Sequence, residues 1–112
     1  MIATLMGLKT VSPRDLQTLA SGGQVAVFDV NSQASWQEAH VPGARHLDPE
    51  AFEGADLPPE KDAGLVFYCS GPLCRKAPRA ARRARDMGYA NVRVMSAGIR
   101  GWVQAGLPTE AA

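Results

Sequence analysis

Short apolar runs, broken at regular intervals by Gly, Pro and polar clusters, divide the chain into small elements. Val25-Ala26-Val27-Phe28-Asp29-Val30 is nearly continuous and rich in β-branched residues, which predicts a strand covered on both faces, as in parallel sheets. Leu65-Val66-Phe67-Tyr68 repeats that pattern, and Ala44 to Leu47 and Asn91 to Met95 predict two further strands. Between the strands the spacing turns helical. Ser12 stands at an N-cap and Pro13 at a first helical position, Leu16 and Leu19 follow, and Gly22-Gly23 stops the helix. Asn31-Ser32 is expected to cap a second helix running through Trp36 and Glu38. A third should start close to Pro78, since proline is tolerated only in the first turn, and end at Met87 with Gly88 as a left-handed cap. In that helix Ala77, Ala80, Ala81, Ala84 and Met87 share one face, with Arg79, Arg82, Arg83 and Asp86 on the other. Gly98 to Ala105 predicts a last helix carrying Trp102. Asp48 to Asp62 reads as a loop with a helical turn around Glu50 to Phe52, because Pro58-Pro59 blocks anything longer. Strands alternating with helices predict parallel βαβ units in an α/β, three-layer α/β/α domain.

Composition limits what such a domain can be. With 112 residues, 46% of them apolar, residues 1–112 have room for one domain, its core spanning about 10–108. No run approaches the roughly 20 apolar residues of a membrane span, and Met1 to Leu8 lacks the charged and apolar regions of a leader. The expectation is a soluble, untargeted cytoplasmic protein with no membrane partner. Net charge is only +1, yet Asp48, Glu50, Glu53, Asp56, Glu60 and Asp62 crowd one stretch and Arg75, Lys76, Arg79, Arg82, Arg83 and Arg85 another. The basic run carries no interleaved aromatic residue, which argues against nucleic acid as a partner. Both cysteines fall within one loop, so their pairing would close only a small ring, and a working thiol in reducing surroundings fits better.

That loop, Cys69-Ser70-Gly71-Pro72-Leu73-Cys74-Arg75, leaves the end of the Leu65 to Tyr68 strand, where open α/β sheets place their ligand sites. Only an ionised thiol is a strong nucleophile, and at an unperturbed pKa near 8.5 roughly 3% is ionised at pH 7. The site is therefore expected to favour the Cys69 anion through loop N–H groups, a helix N-terminus and the cations Arg75 and Lys76. A buried core cysteine is the plainer reading of Cys69, and the Ser-Gly-Pro that follows argues against it. Zinc on Cys69, Cys74, His40 and His46 is conceivable, but neither spacing is a standard ligand pattern, so no metal and no other cofactor are expected. His40 is read as a structural hydrogen-bonding residue of its turn, His46 as a surface residue, and Trp36 and Trp102 as packing. Asp29 would either orient loop groups at the sheet edge or satisfy N–H groups of the following turn.

Taken together, Phe28-Asp29-Val30, Ala39-His40-Val41-Pro42-Gly43-Ala44, Tyr68-Cys69, Met87-Gly88-Tyr89-Ala90-Asn91-Val92 and Gly98-Ile99-Arg100-Gly101-Trp102 resemble, in order and spacing, the rhodanese-like sulfurtransferase family. The likeness runs from Val11 to Pro108 and implies a central, mainly parallel five-stranded sheet. The loop resembles a single-domain subgroup reading Cys-x-Gly-Pro-x-Cys, and the nineteen positions from Cys69 to Gly88 imply that it is longer than the commoner form. Asn31 and Ser35 stand where the family carries an arginine and an acid, and Ala39 and Ala97 where it carries glycines.

The resemblance implies that Cys69 attacks a sulfane sulfur of thiosulfate, polysulfide or a persulfide, holds it as a persulfide, and passes it to a thiol or cyanide. Ser70, Gly71, Pro72, Leu73, Arg75 and Lys76 would form the substrate-binding loop, with Asp29 and His40 in support. Cys74 would accept the sulfur, resolve the persulfide through a disulfide, or pack beneath the loop. Cys69 to Arg75 also has the Cys-x5-Arg spacing of cysteine phosphatases and arsenate reductases. Pro72 has no N–H to offer an oxyanion there, and Lys76 replaces a hydroxyl residue. A further alternative is a sulfur carrier that docks a protein on its arginine-rich helix, for which a solvated helix side is the plainer reading.

Overall fold

The computed structural model describes residues 2–112. A helix α1 (Ile2–Leu5) and a strand β1 (Lys9–Thr10) precede everything the apolar pattern marks. Next comes α2 (Pro13–Ser21), whose N-cap Ser12 accepts a hydrogen bond from the Asp15 N–H at 3.2 Å. The chain continues through β2 (Ala26–Asp29), α3 (Gln33–Glu38) and β3 (Arg45–His46) to the acidic loop. It ends with β4 (Leu65–Tyr68), α4 (Lys76–Asp86), β5 (Val92–Val94) and α5 (Gly98–Gln104).

All five strands join one sheet in the order β1-β5-β4-β2-β3, every neighbouring pair parallel. The fifth strand is β1, an exposed edge of two residues with no apolar alternation to reveal it. Side-chain alternation divides the core into two layers. Leu65, Phe67, Val92 and Val94 pack against Ala3 of α1 and the alanine face of α4, while Val66, Tyr68 and Met95 pack with Leu16 of α2 and Trp102 of α5. Burial on both sides explains why β2 and β4 read as unbroken apolar runs, each large side chain contributing about 1.5–3 kcal/mol.

Three local expectations shift. Helix α4 starts at Lys76, ahead of Pro78, and the proline still sits in a first turn whose N–H groups have no helical partner. The helical turn of the acidic loop is a 3-10 turn at Gly54–Asp56, fixed by the Glu53 N–H donating to Asp56 Oδ2 at 2.8 Å. Ahead of it the Asp48 carbonyl accepts from the N–H groups of Ala51 and Phe52, and a turn forms without a helix. Arg83 does not join the exposed cations, because its guanidinium folds back and donates twice to the Phe52 carbonyl, at 3.1 and 2.9 Å. Packing also reaches outside 10–108: Ala3 and Leu8 are buried, and Glu110 pairs with His40 across an antiparallel bridge. Among the described residues no helix is long and apolar enough to cross a membrane.

Strand order reverses between the neighbours β4 and β2. Their carboxyl ends therefore open a crevice, the position at which sheets of this type bind ligands. Cys69 is the first residue past the end of β4.

Candidate active site

Cys69 belongs to the buried core, being 2% exposed, because it shares the side-chain parity of Leu65 and Phe67 and so faces α4. The Ala77 N–H, in the first turn of α4, donates to its sulfur at 3.4 Å. Burial first, and donation of its own S–H to Cys74 second, push the Cys69 thiol up to about 12, against the opposing N–H groups of Ala77 and Ser70. Against the expectation of an anion, burial favours the thiol form of Cys69. Loop amides do surround sulfur, but they favour ionisation of the other thiol.

That other thiol is Cys74, which is half-buried. Burial raises that thiol too, but the Cys69 S–H, the N–H groups of Lys76 and Ser70 and the Ser70 hydroxyl together outweigh it, leaving the Cys74 pKa below its ordinary value. The two cysteines thus act as a coupled pair, Cys69 the donor and Cys74 the acceptor. Near neutral pH, iodoacetamide should label Cys74 first and Cys69 at least about tenfold more slowly, since rate follows thiolate population and access. Mapping the alkylated sites checks this, and equal labelling would contradict it.

The loop is anchored from α5. The N–H groups of Ile99 and Arg100 donate to the carbonyls of Cys69 and Ser70 at 2.9 and 3.2 Å. Gly98 makes this approach feasible: its φ is +67°, and a Cβ there would lie 2.5 Å from the Gly71 nitrogen and the Ser70 carbonyl carbon. On the other side the fully buried Asp29 accepts from the Asn31 N–H at 2.8 Å and from the Tyr68 hydroxyl at 2.7 Å, and Tyr68 Oη in turn accepts from the Val41 N–H at 3.0 Å. Asp29 thereby satisfies the turn after β2 and, through Tyr68, fixes the end of β4 without touching either thiol.

Of the remaining predicted residues, Ser70, Pro72, Leu73, Arg75 and Lys76 are exposed and Gly71 is buried against Arg100. Lys76 acts on Cys74 through its backbone N–H. It also borders a cleft of about 370 Å³ beyond β2 and β3, lined in addition by Asn31, Ser32, His46, Asp48 and Glu50. Ser35 takes no part in that lining, being hydrogen-bonded to Ser32 at 3.0 Å. His40 is buried in its turn, with Nδ1 2.6 Å from the Trp36 carbonyl and the two rings stacked 4.5 Å apart. His46 is half-buried rather than a plain surface residue, because its Nε2 lies 2.8 Å from the Asn31 carbonyl. Among the described residues no three His, Cys, Asp or Glu side chains converge as metal ligands would.

One residue of the site escapes the sequence reading. Ser96, just past β5, borders the same small cavity as Cys69, Cys74 and Gly71. The signal available was its place at the carboxyl end of a strand next to β4, where the sheet delivers ligand-facing side chains.

The fold has known relatives. Residues 12–105 match the rhodanese-like domain family. An HTH-type transcriptional regulator of Mycobacterium tuberculosis is 35% identical over 107 residues, covering 88% of this chain and 46% of the regulator. The chain thus spans about half the length of such a relative. Arsenate reductase 2.1 of Oryza sativa subsp. japonica is 30% identical, covering 88% of this chain and 69% of its own. Thiosulfate sulfurtransferase GlpE of Pseudomonas fluorescens is 31% identical, covering 93% and 92%. The human single-domain sulfurtransferase superposes with a TM-score of 0.73 at 26% identity, covering 85% of this chain and 95% of its own. With residues 12–105 matched, the chain belongs to the rhodanese-like domain family.

Proposed function

We propose that this protein is a sulfurtransferase that takes a sulfane sulfur from thiosulfate or a persulfide, carries it on Cys69, and delivers it to a thiol or cyanide. The observation that carries this reading is the thiol pair itself: Cys69, the first residue past the end of β4, receives a helix N–H and borders one small cavity together with Cys74. Cys74 then serves as the base. As the Cys69 sulfur bonds to the outer sulfur of thiosulfate, its proton passes to the Cys74 thiolate and the S–S bond to sulfite breaks, sulfite leaving with the electron pair. The products are a Cys69 persulfide anion, a Cys74 thiol and sulfite. Access is from the loop side, where Ser70, Pro72 and Leu73 are exposed, because α4 and the sheet close the others. Relatives named as thiosulfate sulfurtransferases support the same chemistry. The exposed cations Arg75, Lys76, Arg79 and Arg82 beside Leu73 suit an acidic protein as a larger donor or acceptor. Thiocyanate formation from thiosulfate and cyanide with double-displacement kinetics tests the assignment, and its absence with both small donors and persulfides contradicts it.

Arsenate reduction is the second reading, favoured by relatives carrying that name and by the Cys69 to Arg75 spacing. Loop geometry weighs against it. Pro72 has no N–H and that of Cys74 donates to the Gly71 carbonyl, so the loop lacks two of the donors that an oxyanion would need. Arsenate turnover with a thiol reductant, dependent on both Cys69 and Arg75, would reverse the preference.

A further inference from the structure

Ser96 is only 9% exposed, and its Oγ has no hydrogen-bond partner among the described residues. A buried hydroxyl left unpaired is costly, and native proteins rarely keep one without a use. The cavity it borders measures about 10 Å³, close to the space of a single water. Cys69 and Cys74 border the same cavity, while Ala3 of α1 and Val94 and Met95 at the end of β5 bring only apolar side chains to it. Among the other donors near the thiols, the Ala77 N–H is bonded to Cys69, and the Ser70 hydroxyl and the N–H groups of Ser70 and Lys76 act on Cys74. Ser96 therefore keeps an uncommitted O–H at the same cavity as the thiols.

We propose that the Ser96 hydroxyl is the hydrogen-bond donor for the outer sulfur of the Cys69 persulfide. The inference rests on the sulfurtransferase reading. A persulfide's outer sulfur carries the negative charge that Cys69 itself lacks at rest, and an O–H aimed at it is a charge-assisted hydrogen bond. No bond to Ser96 is made or broken, and its proton stays on oxygen throughout. Because a sulfur atom is larger than a water, seating it must displace the exposed loop wall at Pro72 rather than the packed sheet wall.

Ser96→Ala separates this role from a structural one by its signs. The unloaded variant should melt at the same temperature as the parent or higher, because an unpaired buried hydroxyl is removed. Loaded with thiosulfate and held without acceptor, it should lose its persulfide about tenfold faster by intact mass, the factor expected for one hydrogen bond to a charged group. It should also lack the rise in melting temperature that the parent gains on loading. Ser96→Thr, which keeps the hydroxyl, should restore the lifetime. A Ser96→Ala persulfide as long-lived as the parent's overturns the assignment and leaves the sulfurtransferase reading standing, whereas a parent that takes up no sulfur from thiosulfate or from a persulfide donor overturns both.

Discussion

Cys69→Ser should lose at least about a thousandfold in thiocyanate formation, the scale of loss when the atom that makes the covalent intermediate is removed. Its fold should survive. The serine oxygen can accept from the Ala77 N–H and donate toward Cys74, so the cost should stay near 1 kcal/mol despite the buried position. Circular dichroism and denaturant unfolding check the second part, and steady-state turnover the first. Transfer surviving in a folded Cys69→Ser protein would move the carrier role to Cys74, the other sulfur at the cavity.

The largest stability effect should come from Asp29→Ala. Both Asp29 carboxylate oxygens are engaged, and truncation leaves the Asn31 N–H and the Tyr68 hydroxyl unpaired, each at about 1–3 kcal/mol. A loss of about 3 kcal/mol is expected in urea unfolding, lowering the melting temperature by roughly 10–20 °C for a domain of this size. Tyr68→Phe removes only one member and should cost less, with a double-mutant cycle showing coupling between the two. Since Tyr68 immediately precedes Cys69, the loss should reach turnover mainly through the unfolded fraction and the placement of the strand end. An Asp29→Ala protein within about 1 kcal/mol of the parent would mean that the turn satisfies its N–H groups by other means.

Much of this architecture is legible in the amino-acid sequence alone. Continuous apolar runs mark β2 and β4, the Ser12-Pro13 pair marks the start of α2, and Gly88 marks the stop of α4, because each signal is local and sterically strict. Helix α1 and strand β1 are not legible, one being four residues and the other two exposed residues on a sheet edge. The location of the reactive loop follows from strand and turn signals alone. Its ionisation does not, because that depends on which sulfur the N–H groups reach. One clue was present: Leu65, Phe67 and Cys69 alternate onto a single face, which places Cys69 beneath α4 and leaves Cys74 nearer solvent. The orphaned hydroxyl of Ser96 lies in no motif and is visible only once β5 is set beside β4.

Cys69 and Cys74 share the tryptic peptide Asp62–Arg75, so fragmentation of that peptide after brief incubation with thiosulfate locates the transferred atom directly. A mass gain of one sulfur on Cys69, removed by cyanide and absent from Cys69→Ser, is the expected result. A gain confined to Cys74, or none at all from thiosulfate and from persulfide donors, would contradict a Cys69 persulfide as the carrier.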